Sequence, residues 1–315
     1  MNKYITKSDD LVTSREETRA GFIAFALEKN RKSAPYIVQA KSLSVLAARA
    51  SSPRDLIAMK DIEKPLLTAA GLSDKSLKYF REEDKTKAIE ELVTNFLEPA
   101  GADFVDEVVY RYLLIKGDSL GGSMRNIVGS LGQRKLVLTL LSILSLLGIQ
   151  YQWLGTTKNA QWAEKPEDET LVVQGVKALA WQHEGLSRVL AFNLKIPLVH
   201  KNVDICLFNA TLDAYLGGKI AANVQSTLLL GELKAGIDPA GADEHWKTAN
   251  SALKRITDAF ASKQYPIKTV FIGAAIQRAM AVEIYEQMSR GLLSNAANLS
   301  NEEQLIEVCH WIASL

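Results

Sequence analysis

The chain has 315 residues, with 37 Lys or Arg against 36 Asp or Glu and a formal net charge of +1. That balance excludes a surface that grips polyanions everywhere. It leaves room for one local cationic cleft, because net charge reports on solubility and steering rather than on a site. A hydrophobic fraction of 47% with 23% charged residues excludes wholesale disorder, and the length suits about two domains on a ~150-residue prior.

The opening MNKYITKSDD is polar and lacks the apolar stretch of a signal peptide, so no secretory leader is expected. The longest apolar run, Leu136 to Ile149, is 14 residues and carries Thr139, Ser142 and Ser145. A membrane helix needs ~20 apolar residues, so a buried core helix is expected instead. Cys206 and Cys309 sit in apolar runs without metal-ligand spacing and read as two buried, reduced thiols. Together these features predict a soluble cytoplasmic protein with no membrane partner.

Residues 1–150 read as helical. TSREETRAGFIAFALEKNRK begins with hydroxyls and acids and ends basic, as a helix dipole favours. SDKSLKYFREEDKTKAIEELVTNFLEP carries Leu77, Phe80, Ala88, Ile89, Leu92 and Phe96 at helical spacing and stops at Glu98-Pro99. Ala102–Ile115 and Met124–Leu147 predict two further helices, separated by a sharp loop at Gly121-Gly122. After residue 150 the texture changes. A helix over Glu169–Glu184 precedes β-rich runs at Arg188–Leu198, Val203–Phe208 and Ser226–Lys234. A long helix from about Ala240 to Ser262 follows, then a strand at Thr269–Ile276 and helices at Gln277–Leu293 and Asn301–Ile312. This order predicts an α/β fold with a mixed sheet flanked by helices in 151–315, and a mainly helical domain in 1–150.

One constellation carries chemistry. The apolar run STLLLG ends in Glu232-Leu233-Lys234, and strand alternation puts Leu228, Leu230, Glu232 and Lys234 on one face. Upstream, NVDICLFNA sets Asp204 with Cys206 and Phe208 on one face, and Val203, Ile205 and Leu207 on the other. If these two strands pair, Asp204 and Glu232 converge on one cation. Mg²⁺ takes hard oxygen ligands, so both carboxylates and the Leu233 carbonyl would suit it, with Lys234 beside the attacked phosphorus. An acid-x-Lys triplet alone is a weak signal. The other in this chain, Glu83-Asp84-Lys85, lies in a charge run and reads as solvated helix surface.

Asp238 then predicts an N-cap with Pro239 at the first helical position, and Asp243 and Glu244 near the positive end. Trp246, Ala249, Leu253, Ile256 and Phe260 form the buried stripe of that helix. His245 flanks the stripe, and its imidazole could accept a proton from an attacking water or simply make a structural hydrogen bond. His200 could touch a phosphate, whereas His183 and His310 read as structural residues of helices. Lys201, Lys234, Lys247 and Lys254 are the candidates for a local positive channel.

VDICLF followed by LLLGELKAGIDPAGADEHWKT resembles the PD-(D/E)XK nuclease core in the form of the AvaI/BsoBI family of type II restriction endonucleases. The segment GDSLGGSMRN resembles a stretch recurring in several restriction enzymes. Val203 stands where the superfamily's namesake proline would precede Asp204. The resemblance implies a Mg²⁺-requiring homodimer that encircles double-stranded DNA and cuts both strands at C^YCGRG, leaving four-base 5′ overhangs. The helical domain would embrace DNA or support dimerisation. It further implies Asp204 and Glu232 as metal ligands with Leu233, Lys234 as stabiliser and His245 as general base. Lys201 and Asp238 become candidate base or backbone contacts, with Lys75 a weaker one. Arg125 and Asn126 could read guanine or adenine edges, or serve a loop-to-helix junction. Two other readings stay open: a repair or recombination nuclease of the same superfamily, and a non-catalytic DNA-binding protein with a nuclease-like fold.

Overall fold

The computed structural model describes residues 2–157 and 159–315, the side chain of Arg125 excepted. Its helices and strands, in chain order, are α1 (Arg15–Ala47), α2 (Glu63–Ala69), α3 (Glu82–Leu92), α4 (Phe104–Leu146), β1 (Tyr151–Gly155), β2 (Trp162–Glu164) and α5 (Thr170–Gly175). Next come β3 (Val176–His183), β4 (Leu186–Ile196), β5 (Lys201–Asn209), α6 (Leu212–Leu216), β6 (Thr227–Lys234) and α7 (Ala242–Ala261). The chain ends through β7 (Lys268–Gly273), α8 (Arg278–Ser289), β8 (Asn295–Asn298) and α9 (Glu302–Ser314).

Packing separates residues 23–126 from a second unit made of the N-terminal 22 residues and 127–315, rather than dividing the chain near residue 150. In the second unit the described strands form one eight-stranded sheet, ordered β2-β1-β3-β4-β5-β6-β7-β8. Pairing is antiparallel from β2 through β6, and parallel between β6, β7 and β8. The sheet is mixed, as the alternation of strands and helices predicts. Central strands are apolar on both sides because helices cover both faces. On one face Ile205, Leu207, Leu229 and Ile272 meet Leu136, Leu140 and Leu144 of α4 and Val308 and Ile312 of α9. On the other, Cys206, Phe208 and Leu230 meet Ile256 and Phe260 of α7. Val203 packs with this second group and not with Ile205 and Leu207 as alternation predicts. Both cysteines are free and buried, as expected.

Among the described residues the 23–126 unit is built of helices and turns around Leu43, Leu56, Ile62, Leu66, Leu92, Leu97 and Val108. Here α1 runs beyond the predicted basic end to Ala47, because Ala40, Leu43 and Ala47 are buried in that cluster. The predicted helix over 73–99 is broken instead into a short turn at Ser76–Tyr79, α3 and a wider turn at Val93–Leu97. Phe80, extended at φ −95° and ψ 136°, interrupts it.

Two further expectations are overturned. The predicted loop at Gly121-Gly122 does not exist: α4 passes through both glycines, so the two expected helices are one. Glycine weakens a helix by about 1 kcal/mol per residue but does not forbid it, and long helix-forming flanks carry the ladder through. Residues 169–184 are not one helix either. Only Thr170–Gly175 is helical, and Val176–His183 forms β3, paired on both sides to β1 and β4. Sheet partners on both edges override the helical propensity of VKALAWQH, so His183 ends a strand. β1, β2 and β8 also escape the sequence pattern, being short.

The Asn126–Leu146 segment is long and apolar enough to cross a membrane by length and composition. Leu136, Val137, Leu140, Leu141 and Leu144 are nonetheless buried against the sheet, as in a core helix.

Gly231 permits the close approach of β7 to β6. A Cβ there would lie 2.3 Å from Val270 Cγ1 and 2.8 Å from the Val270 carbonyl oxygen, and the latter is backbone that cannot swing aside. Gly231→Ala is therefore expected to lower unfolding stability by about 1–3 kcal/mol, read as a reduced urea midpoint. An unchanged midpoint would show that the two strands are free to separate locally.

Candidate active site

The register of β5 and β6 decides the site. Ile205 pairs with Gly231 in the antiparallel ladder, so one step further along brings Asp204 opposite Glu232. Their neighbours on the same faces, Cys206 and Leu230, are completely buried, which leaves the two carboxylates at the point where the apolar sheet runs out. Asp204 Oδ2 accepts the Leu233 amide at 2.9 Å and Lys234 Nζ at 3.2 Å. The same ammonium donates to Glu232 Oε2 at 2.5 Å, so Lys234 joins both acids. A strand residue directs its amide and carbonyl toward the same neighbour, so the Leu233 carbonyl faces the Asp204 side.

Burial makes this grouping tense. Glu232 is only 5% exposed. Desolvation first, and the Asp204 charge second, push its carboxyl up to about 7 despite the opposing pull of Lys234. Burial alone would lower Lys234, but the charges of Asp204 and Glu232 outweigh it and hold the ammonium above the ordinary lysine value. The result is a pair of carboxylates that repel each other and bind one cation.

The chain just past Lys234 is pinned by glycines. A Cβ at Gly132 of α4 would sit 2.2 Å from Ala235 Cβ, and one at Gly21 would sit 2.3 Å from Ile237 Cγ1. At Gly236 it would fall 2.5 Å from His245 Cε1, so the imidazole lies on that bare backbone. Asp238 accepts the Ala240 amide at 3.0 Å and caps the turn Pro239–Gly241, after which α7 begins at Ala242. The predicted capping and the buried stripe of Trp246, Ala249, Leu253, Ile256 and Phe260 are both present. His245 is half-buried in the first turn of α7 and packs on Gly236, which lies two residues past Lys234.

An open cleft of about 790 Å³ contains Asp204, Glu232 and Lys234, and is otherwise lined by Lys195, His200, Lys201, Asn202, Thr248, Ser251, Ala252 and Arg255. His200 holds a left-handed backbone, φ 59°, at the turn into β5. Of the lysines expected to form a channel, Lys201 and Lys234 line the cleft and Lys247 and Lys254 do not; Lys247 instead pairs with Asp243 at 2.5 Å. Sequence reasoning missed Lys195, Thr248, Ser251 and Arg255. The last three recur at helical spacing on α7, so they share one face, but only the fold shows that this face borders the cleft. His245 and Asp238 do not line the cleft. Lys75 and Asn126 are exposed residues of the 23–126 unit, and the side chain of Arg125 lies outside the described residues. Asn126 is inside α4, so no loop-to-helix junction is available for it to serve. Glu83 and Asp84 are exposed on α3, as expected of solvated surface, whereas Lys85 is partly buried and paired to Glu82.

A family model described as restriction endonuclease BsobI matches residues 1–315. The type II restriction enzyme BsoBI of Geobacillus stearothermophilus is 50% identical over 99% of this chain and 97% of its own. The type II restriction enzyme AvaI of Nostoc sp. (strain PCC 7120 / SAG 25.82 / UTEX 2576) is 47% identical over 99% and 98%, and AvaI of Anabaena variabilis matches equally. The chain belongs to the BsoBI/AvaI family of restriction endonucleases.

Glu232 also makes a stability statement. Its folded pKa, about 7, is above the ordinary 4.5, so the stability it contributes is present below pH 4.5 and lost as pH rises through 7. In EDTA, Glu232→Gln is expected to melt with the native protein near pH 4.5 and about 2–6 °C above it at pH 8. Differential scanning fluorimetry across that range checks this, and a less stable Gln variant at pH 8 would mean the Lys234 contact outweighs burial.

Proposed function

We propose that the chain is a Mg²⁺-dependent, sequence-specific type II deoxyribonuclease with a PD-(D/E)XK core, acting on double-stranded DNA. The observation that carries this reading is Lys234 bridging Asp204 and Glu232 at the open end of two buried strands. The relatives BsoBI and AvaI, both type II restriction enzymes, support the same substrate class.

The donor set suits a hard cation. Asp204 and Glu232 offer carboxylates and Leu233 a carbonyl, all oxygen, as Mg²⁺ prefers. Among the described residues no cluster of three His, Cys, Asp or Glu side chains competes with it. When bound, the cation would withdraw charge from the scissile phosphate and acidify a water. Lys234 would then turn its charge toward the attacked phosphorus, where negative charge accumulates. His245 would accept the proton of the attacking water as its oxygen bonds to phosphorus and the bond to the leaving sugar oxygen breaks.

Lys201 and Asp238 are the proposed DNA contacts beside this centre, and Lys75, Arg125 and Asn126 those of the 23–126 unit, which would embrace the duplex or support dimerisation. One trio cuts one strand, so a homodimer would cut both. The family resemblance implies C^YCGRG with four-base 5′ overhangs, in the cytoplasm.

Glu232→Ala is expected to lose cleavage by at least about 100-fold while binding of the cut site in Ca²⁺ survives. Mapping the ends of cut plasmid should return one palindrome; structure-dependent nicking would instead favour a repair nuclease. His245→Ala should keep its circular dichroism, slow cleavage by roughly 100-fold and flatten the pH–rate profile, and an unaltered profile would remove it as the base.

A further inference from the structure

Three cations of the catalytic cleft have no use in the chemistry above or only an undefined one. Lys195, Lys201 and Arg255 line it, and among the described residues none forms an ion pair, whereas Lys234 is held by both acids. The cleft thus carries four cations against the two carboxylates Asp204 and Glu232. A free cation beside a paired trio is a site for an external anion.

The α7 contribution has a definite form. Thr248, Ser251 and Arg255 are exposed at spacings of three and four, so they form one row along the helix. Ala252, 7% exposed, lies in the same row and keeps it low. Of the helix's other two cations, Lys247 is paired with Asp243, and neither it nor Lys254 lines the cleft. Two hydroxyls followed by a guanidinium are the groups that phosphates accept from, and an arginine can take one phosphate bidentately. Lys195 joins them from β4, next to the β5 strand end where Asn202 and Lys201 emerge.

We infer that Thr248, Ser251 and Arg255, together with Lys195, form a phosphate track that holds the DNA strand on either side of the scissile bond, with Arg255 and Lys195 each taking one phosphate that is not cut. The track rests on the nuclease reading. It contributes positioning and affinity, not base specificity, because phosphate contacts fix register and carry no sequence information.

The experiment uses the full-length protein and a duplex spanning its mapped cut site, with Ca²⁺ replacing Mg²⁺, and follows Kd from 50 to 200 mM salt. Each phosphate contact adds about 0.9 to the slope of log K against log salt, so Arg255→Ala should lower the slope by about one. The native-to-variant affinity ratio should then shrink about threefold to fourfold across that range. Lys195→Ala should do the same, and the double variant should lower the slope by about two. Arg255→Lys should restore the slope, and Lys254→Ala, one residue along α7 but outside the cleft, should leave it unchanged. In steady state the Arg255→Ala defect should fall on KM, with kcat within about threefold. A slope unchanged in Arg255→Ala, or equally reduced in Lys254→Ala, overturns the track. If the native protein cuts no DNA with Mg²⁺, the nuclease reading itself fails, which is a separate outcome from native cutting with an unaltered slope.

Discussion

Two carboxylates forced together at the end of a buried sheet are the constraint on which this molecule turns. Asp204 and Glu232 do not sit together for stability, since like charges in a desolvated place raise each other's energy. Their closeness follows from the β5–β6 register, and that register is held by the apolar groups on either side of it. Ile205, Leu207 and Leu229 are committed to one layer of helices, while Cys206, Phe208 and Leu230 are committed to the other. A slip of one residue would reverse every one of these side chains, so the core protects the unfavourable pairing. Lys234 supplies the charge that makes the arrangement tolerable, and its own burial is offset by the same two acids.

Rigidity just beyond the trio has a second source. The segment Ala235–Ile237 makes three contacts that leave a glycine no room for a Cβ: Gly132 against Ala235, Gly21 against Ile237, and the segment's own Gly236 against His245. The first two tie the segment after β6 to α4 and α1, and the third ties it to the start of α7, which carries both His245 and the row ending at Arg255. Small residues here do the work that a larger core would do elsewhere, because close backbone approach leaves little room for the loop to move.

The sequence displayed the site more fully than the scaffold. Charges are excluded from apolar strands, so Asp204 and Glu232-Leu233-Lys234 stood out against their surroundings, and period two put each acid on a definable face. The central strands and α7 were legible for the same reason. What failed was local and tertiary in origin. Gly121-Gly122 carries a turn signal that neighbouring helix formers override, and VKALAWQH fits both periodicities until β1 and β4 take its edges. Phe80 breaks an apolar pattern that looked continuous, because periodicity reports which face is buried and not whether the backbone stays helical. Arg255 was missed for a different reason: an exposed arginine on a helix is ordinary until the fold shows what it shares a cleft with.

Charge balance gains a meaning from this geometry. A chain with a net charge of +1 has little long-range attraction for DNA. Non-specific affinity comes mainly from phosphate neutralisation, so a neutral exterior weakens binding everywhere that the cleft is not engaged. Within the cleft the balance is different, four cations against two acids, and the acids are those a divalent cation would neutralise. Loading the metal would therefore raise the local positive charge by two where the phosphate must enter, and withdrawing it would restore repulsion from Asp204 and Glu232. Under the proposed reading, the carboxylate pair that repels itself would thus couple the grip on DNA to the cation that neutralises it.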